Sequence, residues 1–554
     1  LCNVSTTSST AKSMVTDLTS PEVDPGAPRA QPAPAPRWAG PLCGLIAAVV
    51  AVCVGLLVAA ILDVNSPLDA VGSEFIDRTP KWLKIRAIDW FGTNDKFALR
   101  VGMVATISLL ALVTGLLARR WPKVGPVAIG LFGVFGAYVA IGRPTQDAKS
   151  AVPALVGAIV GAVLIWYLIG VIRAADPART MPGASRVPRS WDRRRFVLAT
   201  GTAAAGAVAA TVFAQRLESR RLAGIRVSNS NELPARPTDG SLGGDVISAA
   251  PDIPAEATLS PTTPFVTPND DFYRIDTALS VPRIRLDTWA VEIGGRVDRP
   301  LRLTYADLLA RPQVERVVTL ACVSNEVGGD LIGNAVWQGV LLADLLAEVG
   351  IQSDAAQVFT TSVDGWTCGF PIEAALDGRD TMIAIGMNGE QLPLKHGFPA
   401  RMVVPGLYGY VSATKWLSRI DLTTWDEAVG YWVPRGWARD APIKTQSRID
   451  VPRRGQSVPA GRIAIAGIAW AQQRGVAKVE VRINDGEWHE ARLGADVTID
   501  AWRQWIYEWD AAPGKYTIQV RATDRSGETQ TEQVSRPDPD GATGWHTRSV
   551  TVTG

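Results

Sequence analysis

The sequence predicts a multi-domain chain: an N-terminal α-helical membrane bundle of about five helices, an α+β domain, and a C-terminal all-β sandwich of immunoglobulin type. Three observations predict it. Uncharged stretches fill residues 41–214, mixed helix-like and strand-like runs fill 261–435, and short alternating strands separated by turn signals fill 436–554. The 554 residues suit several domains, and 47% hydrophobic against 20% charged residues excludes a disordered chain. Lys and Arg number 56 against 54 Asp and Glu, a net charge of +2, so no nucleic-acid partner is expected. Five Cys are too few for a disulfide-dense scaffold, and three His too few for a His-rich metal site.

Residues 1–40 hold Ser and Thr and then a Pro/Ala run, Pro25 to Pro36, and read as a disordered tail. The chain begins at Leu1, with Met14 a candidate start. The stretches 41–62, 101–118, 124–142, 150–172 and 196–214 are each roughly 20 residues, the length of a membrane-crossing helix. None shows the polar face that a soluble helix needs. The third is the weakest, broken by Pro126 and several glycines. Between the first two, Asp63 to Arg100 contains Trp82, Trp90 and Phe91 and predicts an interfacial amphipathic helix. Basic residues concentrate on one set of flanks, Arg119, Arg120 and Lys123 and then Arg173 to Arg195, which predicts a cytoplasmic N-terminus. Everything after residue 214 is then extracytoplasmic, on a multi-pass protein of the cell membrane whose partner is the lipid bilayer. Asp192-Arg193-Arg194-Arg195-Phe196-Val197-Leu198 before an Ala/Gly-rich apolar run resembles an internal twin-arginine export signal, the alternative being a basic flank that only anchors a helix.

Residues 215–260 are polar and rich in Pro, Gly and Ser, as in a linker. From 261 to 435, Trp289 to Ile293, Val317 to Leu320 and Arg401 to Val404 read as strands, and Leu341 to Val349 has helix period. From 436 to 554, strands are expected at Ile463–Trp470, Val476–Ile483, Trp488–Leu493, Trp505–Trp509, Tyr516–Ala522 and Thr547–Val552, with turns such as Asn484-Asp485-Gly486 between them.

No His falls in a membrane stretch, and the chain has no CxxCH, no CxxC and no Gly-rich phosphate fingerprint. Haem, iron–sulfur and nucleotide cofactors are therefore not expected. Cys368, in an apolar run, reads as a core thiol. Cys322 ends the apolar run Val317 to Ala321 and opens the polar loop Val323 to Gly329, so it is either a soft-metal ligand or a packed thiol. Farther along, His396 and Arg401 flank a turn in Met387 to Gly406, and Lys415 follows another Gly-containing loop; this convergence suggests an anion, most simply a phosphate.

Cys322 behind its strand, the run MNGEQLPLKHGFPARMVVPG and Lys415-Trp416-Leu417 together resemble the sulfite oxidase family of molybdopterin-dependent oxidoreductases, over roughly residues 260–554. The resemblance implies a molybdenum–molybdopterin cofactor with Cys322 as the thiolate ligand of the metal. It implies that His396, Arg401, Thr414 and Lys415 hold the pterin and its phosphate. Asn269, Asp270, Tyr273 and Arg274, in the segment Asn269 to Arg274, and Ser362 are further implied contacts. It also implies a C-terminal domain of the dimerisation type, which would make the protein a homodimer. The expected function is oxygen-atom transfer with two-electron molybdenum cycling, on a small oxyanion or sulfoxide, with a separate electron-transfer partner. Glu326 and Val327 stand where sulfite-oxidising members carry Arg, which weakens the case for a dianionic substrate. Two alternatives stand beside this: a methionine-sulfoxide-type reductase fed by a membrane partner, and a non-catalytic binding protein on the same fold.

Overall fold

The structure is a computed structural model and describes residues 35–80, 83, 86, 90–91, 95–142, 148–174, 193–228, 248–282 and 284–554. Most of the expected tail, the central part of the expected linker, and Trp82 lie outside the described residues.

Among the described residues, the long helices come first: α1 (Ala39–Leu62), α2 (Pro67–Arg78), α3 (Asp95–Arg120), α4 (Val124–Ile141), α5 (Val152–Arg173) and α6 (Arg193–Ser228). Five spans, Ala39–Leu62, Lys96–Arg120, Val124–Ile141, Ala148–Arg173 and Arg194–Leu217, are long and apolar enough to cross a membrane. Small residues let them approach closely: a Cβ on Gly44 would lie 2.0 Å from the Ala111 carbonyl oxygen and 2.9 Å from Gly115 Cα. Pro126 does not break α4, because it sits in the first turn, where no intrahelical acceptor is due. Helix α2 lies in the 63–100 loop, capped by Ser66 Oγ accepting from Asp69 N at 3.1 Å; Trp90 and Phe91 are helical outside it. Helix α6 continues to Ser228, so the stretch expected as linker from 215 begins helical.

The α+β part contains two sheets, one mixed through the parallel pairing of Ala290–Gly295 with Leu417–Thr423 and one antiparallel throughout its described pairings. One sheet has the order β2-β1-β10-β5-β6, built from β1 (Ala290–Gly295), β2 (Leu301–Thr304), β5 (Gln357–Ser362), β6 (Thr367–Pro371) and β10 (Leu417–Thr423). The other runs β3-β4-β7-β8, from β3 (Val314–Ala321), β4 (Ile332–Leu341), β7 (Met382–Met387) and β8 (Glu390–Gln391), with β9 (Arg401–Val403) also paired to β7. Helices α7 (Tyr305–Ala310), α8 (Leu342–Val349), α9 (Glu373–Leu376) and α10 (Gly409–Ser412) connect them. Strand β7 is buried at all six positions and β3 at six of eight, so these strands read as continuous apolar runs rather than alternating ones.

The C-terminal part is two sheets around one apolar core containing Ile465, Val479, Trp505 and Val520. The four-stranded sheet is β11 (Gln446–Val451), β13 (Gly461–Trp470), β17 (Arg503–Ala511) and β16 (Arg492–Leu493). The five-stranded sheet is β12 (Ser457–Pro459), β19 (His546–Thr553), β18 (Gly514–Asp524), β14 (Val476–Ile483) and β15 (Trp488–Glu490). The single strand expected over Trp488–Leu493 divides into β15 and β16, which join different sheets.

Candidate active site

Cys322 is the residue after β3, buried, with its N–H donating to Leu331 O at 2.9 Å and its carbonyl accepting from Asn325 N at 3.0 Å. Asn325 Oδ1 in turn accepts from Leu331 N, which closes the loop that presents the sulfur. The C-terminal sheets brace this loop. Arg448 donates to Gly329 O at 2.9 Å, and Gly328, at φ +77, lies so close to the His546 ring that a Cβ would come within 2.2 Å. Burial pushes the Cys322 thiol up, while donors from the Ser324 N–H and hydroxyl and the charge of Lys415 act the other way.

A cavity of about 1730 Å³ reaches Cys322 and is lined there by Tyr273, Arg274, Ser362, His396, Arg401 and Lys415. Strand ends of both α+β sheets supply these residues: β5 ends on Ser362, β9 begins at Arg401, and Lys415 precedes β10. Gly397, at φ +118, lets the chain turn between Arg401 and Lys415, where a Cβ would meet both at 3.0–3.1 Å. His396 Nε2 donates to the Asn269 carbonyl at 2.8 Å. Burial, with Arg401 and Lys415 nearby, brings the imidazole down to about 4, so it is neutral and Nδ1 is left as an acceptor. Arg401 is 5% exposed, donates to His396 O at 3.1 Å and lies 4.9 Å over the Trp337 ring; its described partners include no carboxylate. Burial lowers it to about 10. Lys415, lowered by burial to about 8, donates to Asp276 Oδ2 at 2.6 Å. Asp276 also takes Arg274 at 2.9 Å and Lys96 of α3 at 2.5 Å; burial opposes its charge, but these cations hold its carboxyl well below the usual range.

The remaining expected residues lie elsewhere. Asp270 is fully exposed and pairs with Lys395 at 2.8 Å, which lowers its pKa. Asn269 contributes its carbonyl to His396, while its amide bonds Met387 O. The Thr414 hydroxyl is 2.6 Å from Thr360 Oγ1 and 3.1 Å from Cys368 Sγ, inside the domain. Asp276 and Ser324 were not singled out from the sequence. A lone Asp two residues after Arg274 carries no periodic or motif signal, and a Ser in a polar loop is unremarkable until the sulfur lies beside it.

The donor set fits an anionic cofactor with a soft metal. A thiol, a neutral imidazole, a guanidinium without a carboxylate and a lysine that shares its one carboxylate with two other cations converge on one space, and a bound phosphate would supply the missing negative charge. Fold and site together define the class, a molybdopterin-binding oxidoreductase. Residues 278–432 match the family described as "Oxidoreductase molybdopterin binding domain", a range that takes in Cys322, His396, Arg401 and Lys415 but not Asn269 to Arg274. The mitochondrial sulfite oxidase of Homo sapiens is 29% identical over 323 residues, 50% of this chain and 59% of that protein. The uncharacterized oxidoreductase YuiH of Bacillus subtilis is 35% identical over 149 residues, 27% of this chain and 72% of that protein. Among solved structures, the sulfane dehydrogenase SoxCD from Paracoccus pantotrophus is 26% identical with a TM-score of 0.47, covering 53% of this chain and 83% of that one. The chain thus belongs to the sulfite oxidase family of molybdopterin-dependent oxidoreductases. It spans 59% of the length of the Homo sapiens and Rattus norvegicus sulfite oxidases it matches.

Proposed function

We propose that the protein is a membrane-anchored molybdenum oxidoreductase with its catalytic half extracytoplasmic, acting by oxygen-atom transfer on a small substrate. The observation that carries this is a buried, carboxylate-free guanidinium, Arg401, sharing one cavity with Lys415, His396 and the Cys322 sulfur. Cys322 is the metal's protein ligand. Arg401 and Lys415 neutralise the pterin phosphate, and Arg274 and Ser362 line the same space. His396, kept neutral, offers Nδ1 to a pterin donor. Asn269 orients His396, and Tyr273 closes the wall beside the sulfur. Asp270 and Thr414 contribute through Lys395 and the Thr360–Cys368 cluster rather than by touching the cofactor. When bound, the cofactor supplies two-electron oxygen-atom chemistry; the chain supplies position, charge balance and exclusion of water.

Two acidic residues, Glu326 and Asp330, line the cavity beside the loop of Cys322. They disfavour a dianion such as sulfite and favour the second reading, reduction of a neutral sulfoxide. The twin-arginine stretch at Arg193 to Arg195 suits a domain exported after the cofactor is inserted, and the C-terminal sheets suit an immunoglobulin-type dimerisation module. The test is molybdenum and pterin analysis of the full chain, with sulfite and methionine sulfoxide assayed side by side using artificial dyes. About one molybdenum per chain is expected, with Cys322→Ser at least ~100-fold less active, beyond the loss typical of an outer-shell change. Molybdenum below about a tenth of stoichiometric, with the variant indistinguishable from wild type, would contradict the proposal.

A further inference from the structure

The cavity that reaches Cys322 does not end at the α+β domain. It continues between the apolar helices, where Ala51 and Leu56 of α1, Ile107 and Leu110 of α3 and Phe132 of α4 line it. From Lys96 to Leu110 along α3 is roughly 20 Å at helical rise. The total of about 1730 Å³ exceeds the ~300–1,000 Å³ of an ordinary single-ligand pocket. The helices are fastened around its mouth on two sides. Lys96 Nζ binds Asp276 and, at 2.7 Å, the Ala278 carbonyl, and Arg100 donates to Leu279 O at 2.7 Å. At a second point, Tyr431 donates to Asp77 of α2 at 2.8 Å and Arg435 to Asp77 O at 3.2 Å. One polar band therefore separates an apolar slot among membrane-length helices from a two-electron redox site.

We propose that this slot binds a membrane quinone, its ring at the level of Lys96 and Arg100 and its isoprenoid tail along α1, α3 and α4, and that the quinone is the redox partner of the active site. The inference rests on the molybdenum reading above and removes the need for a separate electron-transfer protein. The slot is apolar and long, as the tail requires, and it meets the polar band at Lys96 and Arg100, whose N–H groups bond Asp276 and the Ala278 and Leu279 carbonyls, so the ring's carbonyls would lie at a polar boundary. The electrons balance: substrate + H2O + quinone gives oxygenated substrate + quinol, both electrons and both protons passing to the ring, and the sulfoxide direction is the reverse. A phospholipid would also fit, with its chains in the apolar part and its phosphate and ester oxygens at the band, but it cannot take electrons from the redox site that the same cavity reaches.

The test uses the full chain in lipid nanodiscs with a photoreactive short-chain benzoquinone, mapped by mass spectrometry, and dye-linked activity measured on the same preparation. Labelling is expected on α3 between Lys96 and Leu110 and on the facing turns of α1, suppressed by excess decyl-quinone but not by added phospholipid. Leu110→Trp should lower it roughly tenfold or more, because the indole occupies the tail's space. The wild-type result stands even where that variant does not fold. No labelling in a molybdenum-loaded, dye-active preparation, or labelling displaced equally by phospholipid, overturns the quinone site while leaving the enzyme reading intact. Labelling on a chain that takes up no molybdenum overturns the electron-transfer role together with the enzyme reading.

Discussion

Arg401 is a guanidinium in the protein interior whose described hydrogen-bond acceptors are backbone carbonyls. Such a charge is costly until an anion arrives, and it then contributes strongly. Arg401→Met should therefore leave the cofactor-free chain as stable as wild type or more so, while weakening pterin retention by ~3 kcal/mol or more. Thermal midpoints of the apo forms, together with pterin fluorescence after gel filtration, measure the two effects. His396 makes a second prediction. Its folded value near 4 lies below the ordinary 6.5, so between those pH values the unfolded chain takes a proton that the folded chain refuses. Stability of the apo form should fall as pH drops through that window, by up to about 3 kcal/mol from this residue. His546, lowered by burial to about 3, acts in the same direction, so His396→Gln should reduce the acid loss in a thermal-midpoint series without abolishing it. That Cys322, His396, Arg401 and Lys415 come together on one cavity was foreshadowed in the sequence, because each is a chemically distinctive residue in an ordered motif. Thr414 shows the limit: its neighbour Lys415 enters the cavity, while the Thr414 side chain points into the core.

The loop from Cys322 to Leu331 depends on a close approach to the C-terminal sheets at Gly328. Gly328→Ala places a methyl against the His546 ring at a left-handed φ, and should cost ~1–3 kcal/mol and lower cofactor-linked activity by displacing the sulfur. Calorimetry and dye-linked assays of that variant check it; wild-type values in both would show that the brace is unimportant. At this scale the sequence was readable wherever periodicity was strong. Strand β14 has the expected bounds, Val476–Ile483, and β13 differs only at its first residues. The strands β4 and β7 were not expected, because burial on both faces leaves no alternation to detect. The division of Trp488–Leu493 was likewise hidden, since one short apolar–polar run can feed two sheets without any local signal.

Across the whole molecule, the helices and the α+β domain meet through part-buried polar pairs, among them Lys96 with Asp276, 180 positions apart. Leu279 packs against α2, where a Cβ on Gly72 would come within 2.6 Å of it. The five apolar helices were plain in the sequence, because length and lack of charge suffice; their docking over the active site was not, because it rests on side chains with no shared motif. Asp276 serves both bodies. Asp276→Asn should leave Lys415, Lys96 and Arg274 facing one another without a buried counter-charge and destabilise the cofactor-free chain by roughly 3–5 kcal/mol. A thermal midpoint unchanged from wild type would contradict that. The proposed bond between the Cys322 sulfur and molybdenum is read directly by X-ray absorption at the molybdenum edge. The wild-type spectrum should require a protein thiolate in addition to the pterin sulfurs, and Cys322→Ser should lose one sulfur scatterer. Identical sulfur shells in the two proteins would contradict the account.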